Sequence, residues 1–163
     1  MAPEHSSATR LQWTGNHGTG TSSYRDYGRD HQVSAPDKHV IEGSSDRVFR
    51  GDPSRWNPEE LLTAALSQCH LLAYLHLCAT NGVVVIGYTD EASGTMRTHD
   101  GTGEFTEVVL RPRVEVAGAA MIEPALRLHD DAHAACFIAR SVAFPVRHEP
   151  QAVVAGCAAS QQP

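Results

Sequence analysis

At 163 residues the chain is long enough to bury one core of its own, so a single domain is the expectation from length. A formal net charge of −6 with acids and bases interspersed offers no basic patch, which disfavours nucleic acid and anionic lipid as partners. The opening MAPEHSSATR lacks a basic stretch followed by an apolar run, so no signal peptide is expected and cytoplasmic residence is.

In chain order, residues 1–9 are polar and expected to fray, with the fold starting near Arg10. Leu11–Thr14 and Tyr24–Val33 contain strand-like pieces flanking the loop GNHGTGTSS, which together read as a hairpin. The GTGT run looks like a phosphate loop, but no Gly-Lys-Ser/Thr follows it, which disfavours nucleotide binding. A further strand fits His39–Glu42, and GSSDRVFRGDPSRW is a turn-rich connection.

The strongest signal is NPEELLTAALSQCHLLAYLHLCATNG, residues 57–82. Asn57 is a good N-cap, Pro58 suits the first helical position, Glu60 completes a capping box, and Glu59 and Glu60 favour the positive helix end. Asn81-Gly82 supplies a left-handed stop, so the spacing predicts a helix over Pro58–Thr80, a rod of roughly 34 Å. Apolar residues cover most of its circumference, leaving Glu60, Thr63, Ser67 and His70 as one polar stripe. His70, His76, Gln68 and Ser67 interrupt the apolar run, which argues against a membrane span. A small sheet cannot cover such a helix on all sides, so it is expected to be shared between two subunits of an obligate homodimer.

Beyond Gly82, VVVIGY reads as a strand, Met96–Arg97 as part of another, and Phe105–Val116 as one long strand with Pro112 marking an edge or bulge. A second helix is predicted over PALRLHDDAHAACFIA, residues 124–139, followed by a strand over Val142–Arg147. The order predicts an α+β fold with helices on one face of a mostly antiparallel sheet, a domain over residues 10–150 and a flexible tail over 151–163.

Four cysteines could form two disulfides, but Cys69 and Cys78 lie in a core helix of a chain expected in the cytoplasm, and no C-x-x-C occurs. On the second helix His129, His133 and Cys136 form one stripe. Read blandly, they are a helix flank with solvated histidines and a small buried thiol. Two thiols on separate helices are also what a thiol peroxidase needs: one thiolate to attack the O–O bond, and a second thiol to resolve the sulfenic acid.

Here a resemblance enters. FRGDPSRWNPEELLTAALSQCH, followed far downstream by AHAACFIARSV and preceded by WTGN and GTGT, resembles the OsmC/Ohr family of organic hydroperoxide reductases. The resemblance implies an intertwined homodimer with two sheets wrapped around paired long helices and active sites at the subunit interface. It implies Cys69 as the peroxidatic cysteine, Cys136 as the resolving one and Glu59 as the glutamate that holds a catalytic arginine. Relatives usually carry that arginine in the loop after the first strand, where this chain has GNHGTGTSS; Arg25, Arg29 and Arg55 are the substitutes, with Arg55 favoured by its place before the helix. The substrate class would be organic hydroperoxides, the reductant a lipoyl-type dithiol, and no cofactor is implied.

Two other readings stay open. His129, His133 and Cys136, with Cys69 or His70, could bind zinc. Alternatively, a dimer of the same fold without peroxidase activity could bind an apolar ligand. His70 points about 100° away from its neighbour Cys69 on a helix and reads as a polar-stripe residue. Cys78 reads as core filler and Cys157 as a tail thiol.

Overall fold

The structure, a computed structural model, describes residues 4–156; Cys157 and the end of the expected tail lie outside the described residues. The chain divides after Leu61 into two compact units. In the first unit, β1 (Arg10–Trp13), β2 (His31–Ser34) and β3 (Ile41–Gly43) form an antiparallel sheet in that order. Tyr24–Asp30, expected as part of a strand, is a compact loop instead. Its cause is Arg29, which donates to the carbonyls of Tyr27 at 2.5 Å and Tyr24 at 2.9 Å while its guanidinium lies 4.2 Å and 4.4 Å from their ring centroids. A cation held by two carbonyls and two aromatic faces outweighs a short ladder of neutral bonds. The GTGT loop turns inward in the same way: the Asn16 side chain accepts from the amides of Gly18 and Gly20 at 2.9 Å and 3.0 Å, so these amides are already used.

The long helix α1 spans Pro58–Thr80, as its caps predict. Glu60 N–H donates to Asn57 Oδ1 at 2.7 Å and Asn57 N–H donates back to Glu60 Oε2 at 3.1 Å, a reciprocal capping box. At the other end Gly82 adopts φ +73°, and Val83 N–H reaches Cys78 O at 2.9 Å to close the last turn. Asn57→Ala should therefore lower stability by about 1 kcal/mol, read as a drop in the denaturant midpoint at unchanged slope.

In the second unit β4 (Val85–Asp90), β7 (Pro112–Val116) and β9 (Gln151–Val154) form one sheet in the order β4-β7-β9. A second sheet has β5 (Ser93–His99), β6 (Thr102–Leu110) and β8 (Val146–His148) in the order β5-β6-β8. The β4–β7 and β5–β6 pairs are antiparallel, whereas β6–β8 and β7–β9 are parallel. Phe105–Val116 is thus two strands in two sheets rather than one. The break falls at Arg111, whose N–H leaves the ladder to donate to Asp90 Oδ1 at 2.6 Å, and at Pro112, which has no N–H to give. Gln151–Val154, read from the sequence as tail, pairs with β7 and is part of the fold.

Helix α2 runs Ile122–Ala135. It starts two residues before Pro124, a first-turn position where no intrahelical N–H is required. It ends four residues earlier than expected, because Cys136 is an extended C-cap residue with ψ 110°. The core of this unit joins Tyr74, Cys78, Val83, Val114, Val116, Ala125, Leu128 and Ala132, with Leu66, Val108 and Leu110 as a second cluster.

The all-round apolar reading of α1 divides in two. Its fully buried residues are Leu66, His70, Tyr74 and Cys78, at a spacing of four, so a single stripe packs into the chain's own core. Another side is open: Leu72 is 68% exposed and Leu75 38%.

Candidate active site

Cys69 sits midway along α1 and is half-buried; Cys136 caps α2 and is buried. Both are free thiols, and their side chains meet in a hydrogen bond. The two cysteines, far apart in sequence, are thus brought into direct contact. Burial first, then the Cys69 hydrogen bond, push the Cys136 thiol well above its ordinary range, against the opposing pull of the Ala139 and Ile138 amides. The Ala139 N–H approaches Cys136 Sγ at 3.4 Å. Early termination of α2 is what turns these amides toward the sulfur. Cys136 is consequently a neutral thiol at physiological pH, accessible chiefly to Cys69. Cys78 is a core thiol beside Tyr74, its pKa raised by burial.

The other expected residues are placed as follows. Glu59 is half-buried in the first turn of α1, ten residues before Cys69, so the two lie roughly 15 Å apart along one helix and do not meet on it. Arg55, the favoured substitute arginine, is committed to carboxylates: it donates to Glu42 and lies 3.6 Å from Asp30 and 3.7 Å from Asp52. Arg29 is held in the tyrosine cage described above, and Arg25 is exposed on the same loop.

His70 corrects the sequence reading most sharply. It is 1% exposed rather than part of a polar stripe, and its Nε2 lies 2.9 Å from Nδ1 of His129 on α2, itself fully buried. The signal was present in the run Leu66, His70, Tyr74, Cys78, whose four-residue spacing puts the histidine on the same face as three core formers. The His129 ring stacks on Tyr74 at 3.9 Å between centroids and on His70 at 5.2 Å. His148 of β8 stacks on His70 at 5.6 Å and donates its Nε2–H to Asp130 Oδ1 at 2.9 Å, while His133 lies 5.4 Å from the His148 ring. These rings pile face on face instead of pointing nitrogens at one centre. Among the described residues no three His, Cys, Asp or Glu side chains form a group able to hold a metal ion, and His129, His133 and Cys136 are no exception. His129 is turned into the core by His70 and Tyr74, which removes it from that ligand set.

Burial lowers the pKa of His70 to about 4 and of His129 to about 3, with the neighbouring histidines adding to the shift. Both are neutral in the folded protein, whereas in the unfolded chain they take up protons below about 6.5. Groups with depressed histidine pKa values contribute stability that is intact above pH 6.5 and lost as pH falls toward 3. Denaturant midpoints should fall steadily between pH 6.5 and pH 4 in the native chain, and less steeply in His129→Gln. A midpoint constant over that window would contradict the burial of the pair.

Fold and site together define a class: an α+β protein presenting a half-buried thiol on one helix against a buried thiol at the end of another. Residues 51–151 match the family described as OsmC-like protein, and the chain belongs to that family. No curated protein matches it. Among solved structures, an OsmC-like protein of unknown function from Vibrio cholerae is 29% identical, with 90% of this chain and 99% of that one covered at a TM-score of 0.80. An organic hydroperoxide resistance protein from Elizabethkingia anophelis shares the fold at 15% identity, covering 94% of this chain and 99% of that one, TM-score 0.67. Another from Legionella pneumophila does so at 15% identity, covering 92% and 98%, TM-score 0.66.

Proposed function

We propose that this chain is a cysteine-based peroxidase that reduces organic hydroperoxides in a stress response, with Cys69 as the peroxidatic and Cys136 as the resolving cysteine. The observation that carries the reading is the Cys69–Cys136 contact, in which the outer thiol is half-buried and the inner one buried. The Cys69 thiolate attacks the terminal oxygen of ROOH; the O–O bond breaks, the sulfur becomes a sulfenic acid, and the alkoxide takes up a proton to leave as ROH. Cys136 then forms the S–S bond as its proton leaves with the displaced hydroxide as water. An external dithiol of the lipoyl type restores both thiols by exchange. The hydroperoxide resistance proteins that share the fold support the substrate class.

The thiolate at Cys69 needs a cation, and Glu59 would position one. Arg55 is a weaker candidate than its sequence position implied, because three carboxylates already compete for it.

The open side of α1 supports a homodimer. Leu61, Ala65, Leu72, Leu75 and Ala79 recur at steps of four, seven, three and four on this side, with no charge among them. A second copy of α1 lying antiparallel would cover it. A bilayer is the competing occupant, since α1 is long and apolar enough to cross one by length and composition. His70, Ser67 and the capping glutamates on this helix favour the second copy. Consumption of an alkyl hydroperoxide coupled to dihydrolipoyl oxidation tests the activity: turnover above the uncatalysed rate supports it, and none rejects it.

A further inference from the structure

Three contacts stitch α1 to α2 in antiparallel order: Cys69 to Cys136, His70 to His129, and Tyr74 Oη to the Ala125 carbonyl at 3.1 Å. The central one is unusual in chemistry. One proton is shared across the 2.9 Å bond, and the outer nitrogens, His70 Nδ1 and His129 Nε2, are buried with no hydrogen-bond partner. Whichever ring donates, the pair leaves one N–H and one bare nitrogen unsatisfied, which costs free energy that a leucine pair would not. One added proton leaves the hydrogen bond in place but puts a buried positive charge on the pair, and a second removes the last acceptor and sets two positive charges side by side. Among the described residues no acid contacts the pair: the groups around it are Tyr74 of α1, His133 of α2, His148 of β8, and Tyr88 of β4 behind Tyr74. The carboxylate of Asp130, which acts on His129 from a distance, is engaged with His148.

We propose that His70 and His129 are positioning residues that hold Cys136 against Cys69, and that protonation of this pair releases α2 and opposes closure of the Cys69–Cys136 disulfide. The proposal rests on the thiol chemistry above. The pair acts next door to the sulfurs on both helices: His70 follows Cys69 directly, and His129 precedes Cys136 by seven residues, nearly the same azimuth on α2. Acid therefore favours the open dithiol, and by reciprocity the closed disulfide resists protonation of the pair.

The test uses the whole protein with Cys78 and Cys157 changed to Ala, equilibrated with reduced and oxidised dithiothreitol and a small selenol as exchange catalyst. Two electrons and two protons pass between the couples, so with neutral thiols the exchange constant is independent of pH. Ionisation of Cys69 moves it in the opposite direction, because oxidising a thiolate takes up a proton and is favoured by acid. The expected result is a fall of about threefold in the constant for disulfide closure between pH 6 and pH 3.5, since a separation of one pKa unit reaches its full tenfold only below both midpoints. The His70→Gln/His129→Gln variant, which keeps amide hydrogen bonding and cannot titrate, should lose that fall. Far-UV circular dichroism confines the comparison to folded protein.

Imidazole titration by NMR in the two redox states needs no variant. The His70 and His129 midpoints should be lower by about one unit in the disulfide form. Equal midpoints, or a constant that stays flat or rises in acid, overturn the clamp alone. Absence of a Cys69–Cys136 disulfide at pH 7 overturns the thiol chemistry and the clamp with it.

Discussion

Cys69→Ser should reduce hydroperoxide turnover by a factor on the order of 10³ or more, the scale on which removal of a nucleophile acts. The reason is specific to the pair: with the outer thiol gone, the inner one is buried and held neutral, so it cannot substitute. Cys136→Ser has a different signature. Cys69 then reacts once, one equivalent of hydroperoxide is consumed, and the sulfenic acid persists or overoxidises for want of a partner. Cys78→Ala serves as the control, since that thiol lies in the core with Tyr74 and should leave the rate intact while lowering stability. Steady-state turnover with mass analysis of the trapped sulfur checks all three. Multiple turnovers in Cys136→Ser without added thiol would show that resolution runs through another group.

The second large effect concerns assembly. Leu72→Glu/Leu75→Glu places two carboxylates on the open side of α1 without touching the buried stripe Leu66, His70, Tyr74 and Cys78. Light scattering should show a dimer for the native chain and a monomer for the variant, with a native interface above roughly 2,000 Å² as expected of an obligate pair. If the partner's helix completes the site, hydroperoxide-driven thiol loss should fall with dissociation. A native chain that is monomeric, or that partitions into vesicles, would assign the face to another occupant.

Helix α1 was legible because every cue for it is local: Asn57, Pro58 and Glu60 mark its start, and Asn81-Gly82 its end. The thiol pair was legible from the motifs around Cys69 and Cys136, although their contact depends on how α1 and α2 pack. Where cues conflicted, the tertiary term decided. Phe105–Val116 alternates as one strand should, but the side chain of Asp90, more than twenty residues earlier, captures the Arg111 amide at the point where the chain changes sheets. Tyr24–Val33 has strand composition, and Arg29 closes its first half into a loop. Gln151–Val154 is short and carries no turn signal; only pairing with β7 makes it a strand. For His70 polarity and spacing conflict, and the spacing it shares with Leu66, Tyr74 and Cys78 decides its burial. A buried imidazole needs a partner, and His129 is 59 positions away.

If Cys69 and Cys136 act as one redox pair, a single oxidant equivalent must consume both thiols together. Reduced protein should be treated with one equivalent of an alkyl hydroperoxide per chain, quenched with an alkylating agent, digested without reductant and mapped by mass spectrometry. The expected result is loss of two thiols per equivalent and a single new linkage joining the peptides of Cys69 and Cys136, with Cys78 still alkylatable after unfolding. A Cys69 that stays reduced, or a disulfide that joins other cysteines, would contradict it.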